Sequence, residues 1–381
     1  MYKIVFLSVS LAYGRQRAIG NLLRHLDRGL FQPTLVLMHS PQELYGESVD
    51  QVPVHVLNTQ RASRALLPMV RLLRLIGPDL LFSVQDHINV IALLATGLSL
   101  RQVKTVVSVR TTPSMAFKND PQLKNRVMIP FLMRLLYPRA DGVVALSQGI
   151  ADDTAQVASI PVGDISVVYN PIVDERLEFL AQQPVDHPWF SDGIPTIVAV
   201  GRLSEEKGFS YLLQAVARVR RQRQVRLLII GEGPERAKLE SLARAKGIGS
   251  DTQLLGYREN PYSYLANADV FVLSSLWEGL PAVVVEAMAC GAPVVATDCP
   301  SGPGEIITKE TEGILVPPAD PEALADAILR VLSDTNLRQA MRAAGRSRAQ
   351  DFRVDKIARE YERLFLETLG AARNESEGRG A

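Results

Sequence analysis

Two carboxylates, Glu278 and Glu286, bracket a Gly-Leu-Pro turn in "SLWEGLPAVVVEAMACGAPVVATD", residues 275–298. The preceding "DVFVLSS" reads as a buried strand. "PAVVVEAMACG" reads as a helix, with Pro281 in its first turn and Gly291 just past its end. Glu278 then sits in the loop at the carboxyl end of a strand, and Glu286 lies inside the helix. A carboxylate accepts paired hydrogen bonds from vicinal hydroxyls, so a sugar ring at Glu278 and a ribose at Glu286 are a chemical match. The backbone N–H groups of Gly279 and Leu280 would point the same way as Glu278. An acid complementing a helix dipole, at about 0.3–1 kcal/mol, would account for Glu278 without any ligand. It would not account for a second acid set among valines. Buried unpaired charge is costly, so Glu286 needs a partner.

"VAVGRLSEEKGFSYLLQA" places Arg202 and Lys207 between a strand ending at Gly201 and the helix that follows. Glycine lets a backbone approach a ligand, a helix start favours an anion, and two cations can neutralise a diphosphate. A turn with solvated charges fits the same letters. "LLIIGEGPER" repeats the pattern one strand later, with Gly231 and Gly233 flanking Glu232 and Pro234 at a helix start. So short a G-x-G is a weak dinucleotide signal. Gly256, Tyr257 and Arg258 then end another strand, where backbone groups could hold a nucleobase; structural filling fits them equally well.

Around these residues, short β-rich runs at 3–9, 34–38, 53–57, 79–84, 103–109, 141–147 and 165–170 alternate with helical periodicity. The alternation restarts with "TIVAVGRL" and continues through "VFVLSS", "PVVATD" and "GILVPP". This is the pattern of two doubly wound α/β halves, in which ligands sit beyond the carboxyl ends of parallel strands. The expected domains are 1–180 and 190–353, facing each other across a cleft. The proline-bearing "LAQQPVDHPWFSDGIP" is expected to link them. An amphipathic helix over 354–369 is expected to follow, with a disordered tail over 370–381.

The net charge of +1 hides an asymmetry: residues 1–140 carry 17 Lys and Arg against 7 Asp and Glu, so the remainder is acidic. A basic first half suits an anionic partner. The only cysteines are Cys290 and Cys299, which excludes a disulfide framework and suits a reducing cytoplasm. Cys290 reads as a small buried residue. "MYKIVFLSVS" reads as a strand and not a secretory leader, and no apolar run approaches the roughly 18 residues of a spanning helix.

Taken together, "GRLSEEKG", "IIGEGPER", "LLGY", "ADVFVLSSLWEGLPAVVVEAMACGAPVVATD" and "SGPGEII" resemble the retaining glycosyltransferases of family 4, which have the GT-B fold. The resemblance covers nearly the whole chain and is strongest over about 196–335. It implies two Rossmann-like domains, with the last helix crossing back to the N-terminal one. It implies that Arg202 and Lys207 bind the donor diphosphate, that Glu286 binds the ribose and that Glu278 contacts the donor sugar. Gly279 and Leu280 would donate from the backbone, and Tyr257 and Arg258 would form the base-binding edge. No metal is implied, nor a cofactor beyond the nucleotide-sugar co-substrate: the cations and helix starts would stabilise the leaving diphosphate.

Departures bear on the acceptor. Where the family's first loop often reads Gly-Gly-x-Glu-Arg, this chain has "YGRQR", keeping Gly14 and Arg17. Arg110 stands where relatives often carry histidine after the strand "KTVVSV". Arginine cannot act as a base at neutral pH, so it would bind phosphate or orient the acceptor. Asp86 and His87 end the preceding strand. The helical stretches 61–75 and 124–139 mix Arg and Lys with long apolar side chains. That pattern suits an anionic membrane surface, or a helix packed on a sheet with wet arginines. Nothing resembles the aromatic-interleaved basic stripe of a nucleic-acid binder.

The leading expectation is transfer of a hexose or N-acetylhexosamine from a UDP- or GDP-sugar to a glycan or lipid-linked acceptor. A nucleotide-sugar epimerase or hydrolase of similar fold, and a non-catalytic GT-B subunit, are the alternatives. The sequence speaks against a nicotinamide oxidoreductase, since no G-x-G-x-x-G follows the first strand.

Overall fold

The computed structural model describes residues 1–9, 17–39, 52–59, 62–118, 122–185 and 187–371. Gly14, in the altered first loop, and residues 372–381 of the expected tail lie outside them. The chain divides into two units: Met1–Pro171 together with the segment from Val354 onward, and Ile172–Arg353.

The first unit is a seven-stranded parallel sheet in the order β3-β2-β1-β4-β5-β6-β7. Its strands are β1 (Tyr2–Ser8), β2 (Phe31–Leu37), β3 (Val54–Val56), β4 (Leu80–Val84), β5 (Lys104–Val109), β6 (Gly142–Ala145) and β7 (Ile165–Val167). Helices α1 (Arg17–His25), α2 (Ala62–Ile76), α3 (Asp86–Ser99), α4 (Pro113–Lys118), α5 (Leu123–Leu136) and α6 (Gln148–Ala158) connect them. Alternate residues of each strand feed the two faces. Val5, Leu7 and Leu81 meet α2 and α3, while Ile4, Phe6 and Phe82 meet α1. The second face is closed by α15 (Val354–Thr368), whose Phe365 ring lies edge-on to Phe82 at 5.3 Å and to Phe6 at 6.1 Å. The last helix thus completes the first unit's core.

The second unit is a six-stranded parallel sheet in the order β10-β9-β8-β11-β12-β13. It comprises β8 (Thr196–Val200), β9 (Arg226–Ile230), β10 (Thr252–Gly256), β11 (Val270–Leu273), β12 (Val294–Thr297) and β13 (Ile314–Val316). Its helices are α7 (Glu175–Ala181), α8 (Phe209–Arg220), α9 (Arg236–Ala245), α10 (Tyr262–Ala266), α11 (Ala282–Cys290), α12 (Pro303–Ile306), α13 (Pro321–Ser333) and α14 (Thr335–Ala349). Both faces are covered, so the strands read as near-continuous apolar runs.

The expected boundary at 180 and the linker after it are corrected. The crossing falls at 171–172, and the proline-bearing stretch belongs to the second unit. Asp174 caps α7 by accepting from Leu177 N at 2.8 Å, and Leu177 is buried. Asn260 Nδ2 holds the end of that helix through Leu180 O at 2.9 Å. Pro188 opens a short 3-10 turn that buries Trp189, over whose ring Arg226 stacks at 4.7 Å. Pro188 thus opens a turn that packs onto this domain. No helix among the described residues is long and apolar enough to cross a membrane.

Candidate functional site

The β8–α8 connection carries Arg202 and Lys207 at the carboxyl end of β8, whose sheet neighbour is β11. A 3-10 turn, Glu205–Lys207, ends at Gly208 with φ 59°. A Cβ there would lie 2.0 Å from Ser274 O, so only glycine lets the turn close against the end of β11. Ser274 Oγ donates to Lys207 O at 2.8 Å, and Leu276 N to Glu206 O at 2.8 Å. Two sequence-distant loops are thereby fastened together.

Their side chains then meet. Lys207 Nζ lies 2.6 Å from Glu278 Oε1, which also accepts from Ser275 Oγ at 2.7 Å. The pair is mostly buried, at 16% and 11% side-chain exposure. Thr297 Oγ1, at the end of β12, donates to Ser275 O at 2.6 Å and steadies the loop from the far side. The sequence named both charges and did not foresee that they pair.

Pro281 is the residue that precedes α11 and not one in its first turn, and Gly291 ends the helix in the left-handed conformation. Glu286, half-buried in α11, has the partner its position demanded. Tyr262 Oη, from α10, donates to Glu286 Oε1 at 3.2 Å. Gly279 O accepts from Ser301 Oγ at 3.0 Å, and Leu280 is buried. Tyr257 is 45% exposed just past β10, and Arg258 is exposed beside it. Cys299 also stands here: burial, then the Glu278 charge, push its thiol up to about 12, so it is inert at neutral pH. Cys290 is buried and its thiol likewise raised, first by burial.

The "GEG" turn has a packing role. A Cβ on Gly231, at φ 141°, would lie 1.9 Å from Gly201 O. Leu203 N donates to Glu232 O at 2.9 Å, and Glu235 N donates to Leu203 O at 3.0 Å. The turn therefore braces the Arg202 loop. Those bonds delay the helix, which begins at Arg236 instead of Pro234.

Arg110 belongs to the first unit, at the end of β5, and donates to Asn170 Oδ1. Asp86 and His87 diverge at the start of α3: Asp86 is buried and His87 exposed. Around Asp86 lies a polar group that the sequence did not disclose. Asn89 Nδ2 donates to Ser108 O at 2.9 Å and to Tyr137 Oη at 3.2 Å. Burial, then the charge of Asp153, raise the Asp86 carboxyl to about 7, and burial raises the Tyr137 phenol well above its ordinary value. Gln85, just before Asp86, holds φ 96°, a strained conformation for a non-glycine residue. Among the described residues, no group of three or more His, Cys, Asp and Glu is placed to hold a metal ion.

Residues 14–176 match the Glycosyltransferase Family 4 description, and residues 188–348 match Glycosyl transferases group 1. The chain is 30% identical over 365 residues to a Campylobacter jejuni enzyme, covering 93% of this chain and 96% of that one. That enzyme is named N-acetylgalactosamine-N,N'-diacetylbacillosaminyl-diphospho-undecaprenol 4-alpha-N-acetylgalactosaminyltransferase. Among solved structures, sucrose-phosphate synthase from Thermosynechococcus elongatus superposes with TM-score 0.81 at 20% identity, over 97% of this chain and all of that one (100%). Anabaena HepE in complex with UDP-glucose gives 0.80 at 22%, over 96% of this chain and 100% of that one. The chain belongs to the family 4, or group 1, glycosyltransferases with the GT-B fold. It is a glycosyltransferase of the hexosyltransferase class.

Proposed function

We propose that this enzyme moves a hexose or N-acetylhexosamine from a uridine diphosphate sugar to a lipid-linked glycan, with retention at the anomeric carbon and without a metal. It acts in the cytoplasm, at the face of a membrane, in the synthesis of a surface glycan. The Lys207–Glu278 pair carries the reading. A carboxylate standing alone would repel an incoming diphosphate. Paired with Lys207, Glu278 is neutralised until the donor arrives, when the cation can turn to the phosphate and the carboxylate to the sugar hydroxyls. Arg202 supplies a second cation from the same loop.

Glu286, oriented by Tyr262, accepts from the ribose hydroxyls. Tyr257 and Arg258 edge the base, and Gly279 and Leu280 offer backbone to phosphate or sugar. As the bond from C1 to the diphosphate oxygen breaks, one from C1 to the acceptor oxygen forms on the same face. The acceptor's proton leaves with the diphosphate, whose growing charge Arg202 and Lys207 stabilise. Arg110 orients the acceptor. The Campylobacter relative's name supports a lipid-diphosphate-linked acceptor, and the UDP-glucose bound to HepE supports a uridine donor. The free, buried cysteines support a reducing compartment.

The test is transfer from UDP-sugars to an undecaprenyl-diphosphate-linked oligosaccharide in EDTA, with the product's anomeric configuration read by NMR. Retention at an unchanged rate is expected. Inversion or loss of activity in EDTA contradicts the mechanism. Equal donor turnover without acceptor would instead indicate a hydrolase or epimerase, and nucleotide binding without turnover a non-catalytic subunit.

A further inference from the structure

α10 and α11 precede β11 and β12, which are parallel neighbours in the second sheet, so both helices run toward the amino ends of those strands. That is the end opposite Lys207 and Glu278, which follow the carboxyl ends of β8 and β11. There α14 lays Arg342 across the two helix exits. Its Nη1 donates to Gly291 O, just past α11, at 2.8 Å, and its Nη2 to Ala268 O, just past α10, at 3.0 Å. Gly291 and Ala268 are buried, so their carbonyls need partners within the protein. A planar guanidinium holds two acceptors at a fixed spacing, where an ammonium is a single point of charge.

The arginine is itself held in place. α14 packs on α11 with Gly345 against Met288, where an added Cβ would touch Met288 Cγ at 3.4 Å. One turn past Arg342, the Arg346 guanidinium lies against Gly291 in the space a Cβ would take. Two cations at the carboxyl end of α11 also suit its dipole.

This clamp sets the height of one helix against the other. Glu286 stands five residues before Gly291 and Tyr262 six before Ala268, about 7.5 and 9 Å back along their helices. The two side chains are therefore nearly level, and Tyr262 Oη reaches Glu286 Oε1 at 3.2 Å. A slide of one residue, about 1.5 Å, would break that bond. α10 has 5 residues, too few to hold its own position.

We propose that Arg342 is a positioning residue of the donor site. By joining the exits of α10 and α11 it keeps Tyr262 on Glu286, and so sets the carboxylate that receives the ribose. The last step rests on the reading of Glu286 given above; the clamp does not, and the experiment separates them.

The experiment compares Arg342→Lys and Arg342→Met, each alone and with Tyr262→Phe. In the ligand-free protein, urea unfolding should show each double variant losing less stability than its two single variants together. Calorimetric titration with UDP should show Kd rising about three- to tenfold in either arginine variant, more in Arg342→Met, while kcat with a UDP-sugar holds. In the Tyr262→Phe background the same substitutions should change Kd less than about twofold. A purely structural arginine would lower the melting temperature and leave the Kd of the folded protein unchanged. That result, or additive losses in either cycle, overturns the proposal. UDP binding weakened by Glu286→Ala but not by the arginine variants overturns this proposal alone. UDP binding indifferent to Glu286→Ala overturns the ribose reading, and with it the donor role of Arg342.

Discussion

Lys207 and Glu278, 71 positions apart in the chain, form a 2.6 Å ion pair in a mostly buried setting. Gly208 makes it possible, because its missing Cβ lets the β8 loop close on Ser274. Removing one partner leaves the other desolvated. Lys207→Ala should cost about 2 kcal/mol of stability, and Glu278→Gln, which can keep the Ser275 bond, about 1 kcal/mol. Turnover of Glu278→Gln should fall about 100-fold. A denaturant double-mutant cycle with alanine at both positions should show coupling of about 1–3 kcal/mol. Additive losses would show that the two side chains do not act as a pair.

Tyr262 acts through Glu286, so its loss should be felt in binding more than in chemistry. Tyr262→Phe removes one hydrogen bond of about 0.5–1.5 kcal/mol. The KM for the donor should rise about 3- to 10-fold with kcat nearly unchanged. Steady-state kinetics separates the two; a fall in kcat at constant KM would place Tyr262 in the chemical step.

Gly208→Ala should be among the most damaging single substitutions in the second unit. It combines a left-handed φ with a backbone collision, and should lower stability by about 2–4 kcal/mol and abolish donor binding. Gly97 is the control: it lies exposed in α3, and a Cβ added there would meet nothing within 4 Å. Gly97→Ala should raise stability by about 0.5–1 kcal/mol. Thermal denaturation of both variants checks the contrast.

The Asp86 carboxyl, raised to about 7, gives a pH signature of defined sign. The folded protein holds this proton more tightly than the unfolded chain does, whose carboxyl titrates near pH 4. Asp86 therefore contributes stability that is full below about pH 4 and is lost as pH rises through about 7. Asp86→Asn removes that titration. Its stability relative to wild type should climb between pH 4 and 7, by up to about 4 kcal/mol. Urea unfolding at a series of pH values measures it; a flat difference would show that Asp86 ionises normally.

Much of this architecture could be read from the letters. Buried parallel strands appear as short apolar runs such as "LLFSV" and "RLLII", and helices such as α13 carry their own periodicity and caps. Glu278 and Glu286 were conspicuous because charges among valines need a reason. What stayed hidden depends on three-dimensional meetings. Tyr262 reaches Glu286 from another helix, Asn170 meets Arg110 from 60 positions away, and Asn89 joins Tyr137 beneath Asp86. The supposed linker misled because prolines at 184, 188 and 195 signal turns whether the turns are loose or packed. Only the burial of Trp189 and Leu177 tells which.

The most direct test of the donor site is thermal stabilisation by a panel of UDP-, GDP-, ADP- and TDP-sugars, with Glu286→Ala alongside wild type. At 100 times its dissociation constant, the bound donor should add about 2.7 kcal/mol. A shift with UDP-sugars in wild type that is lost in Glu286→Ala is the predicted result. Folded protein that no nucleotide sugar stabilises, or an equal shift in the variant, would contradict it.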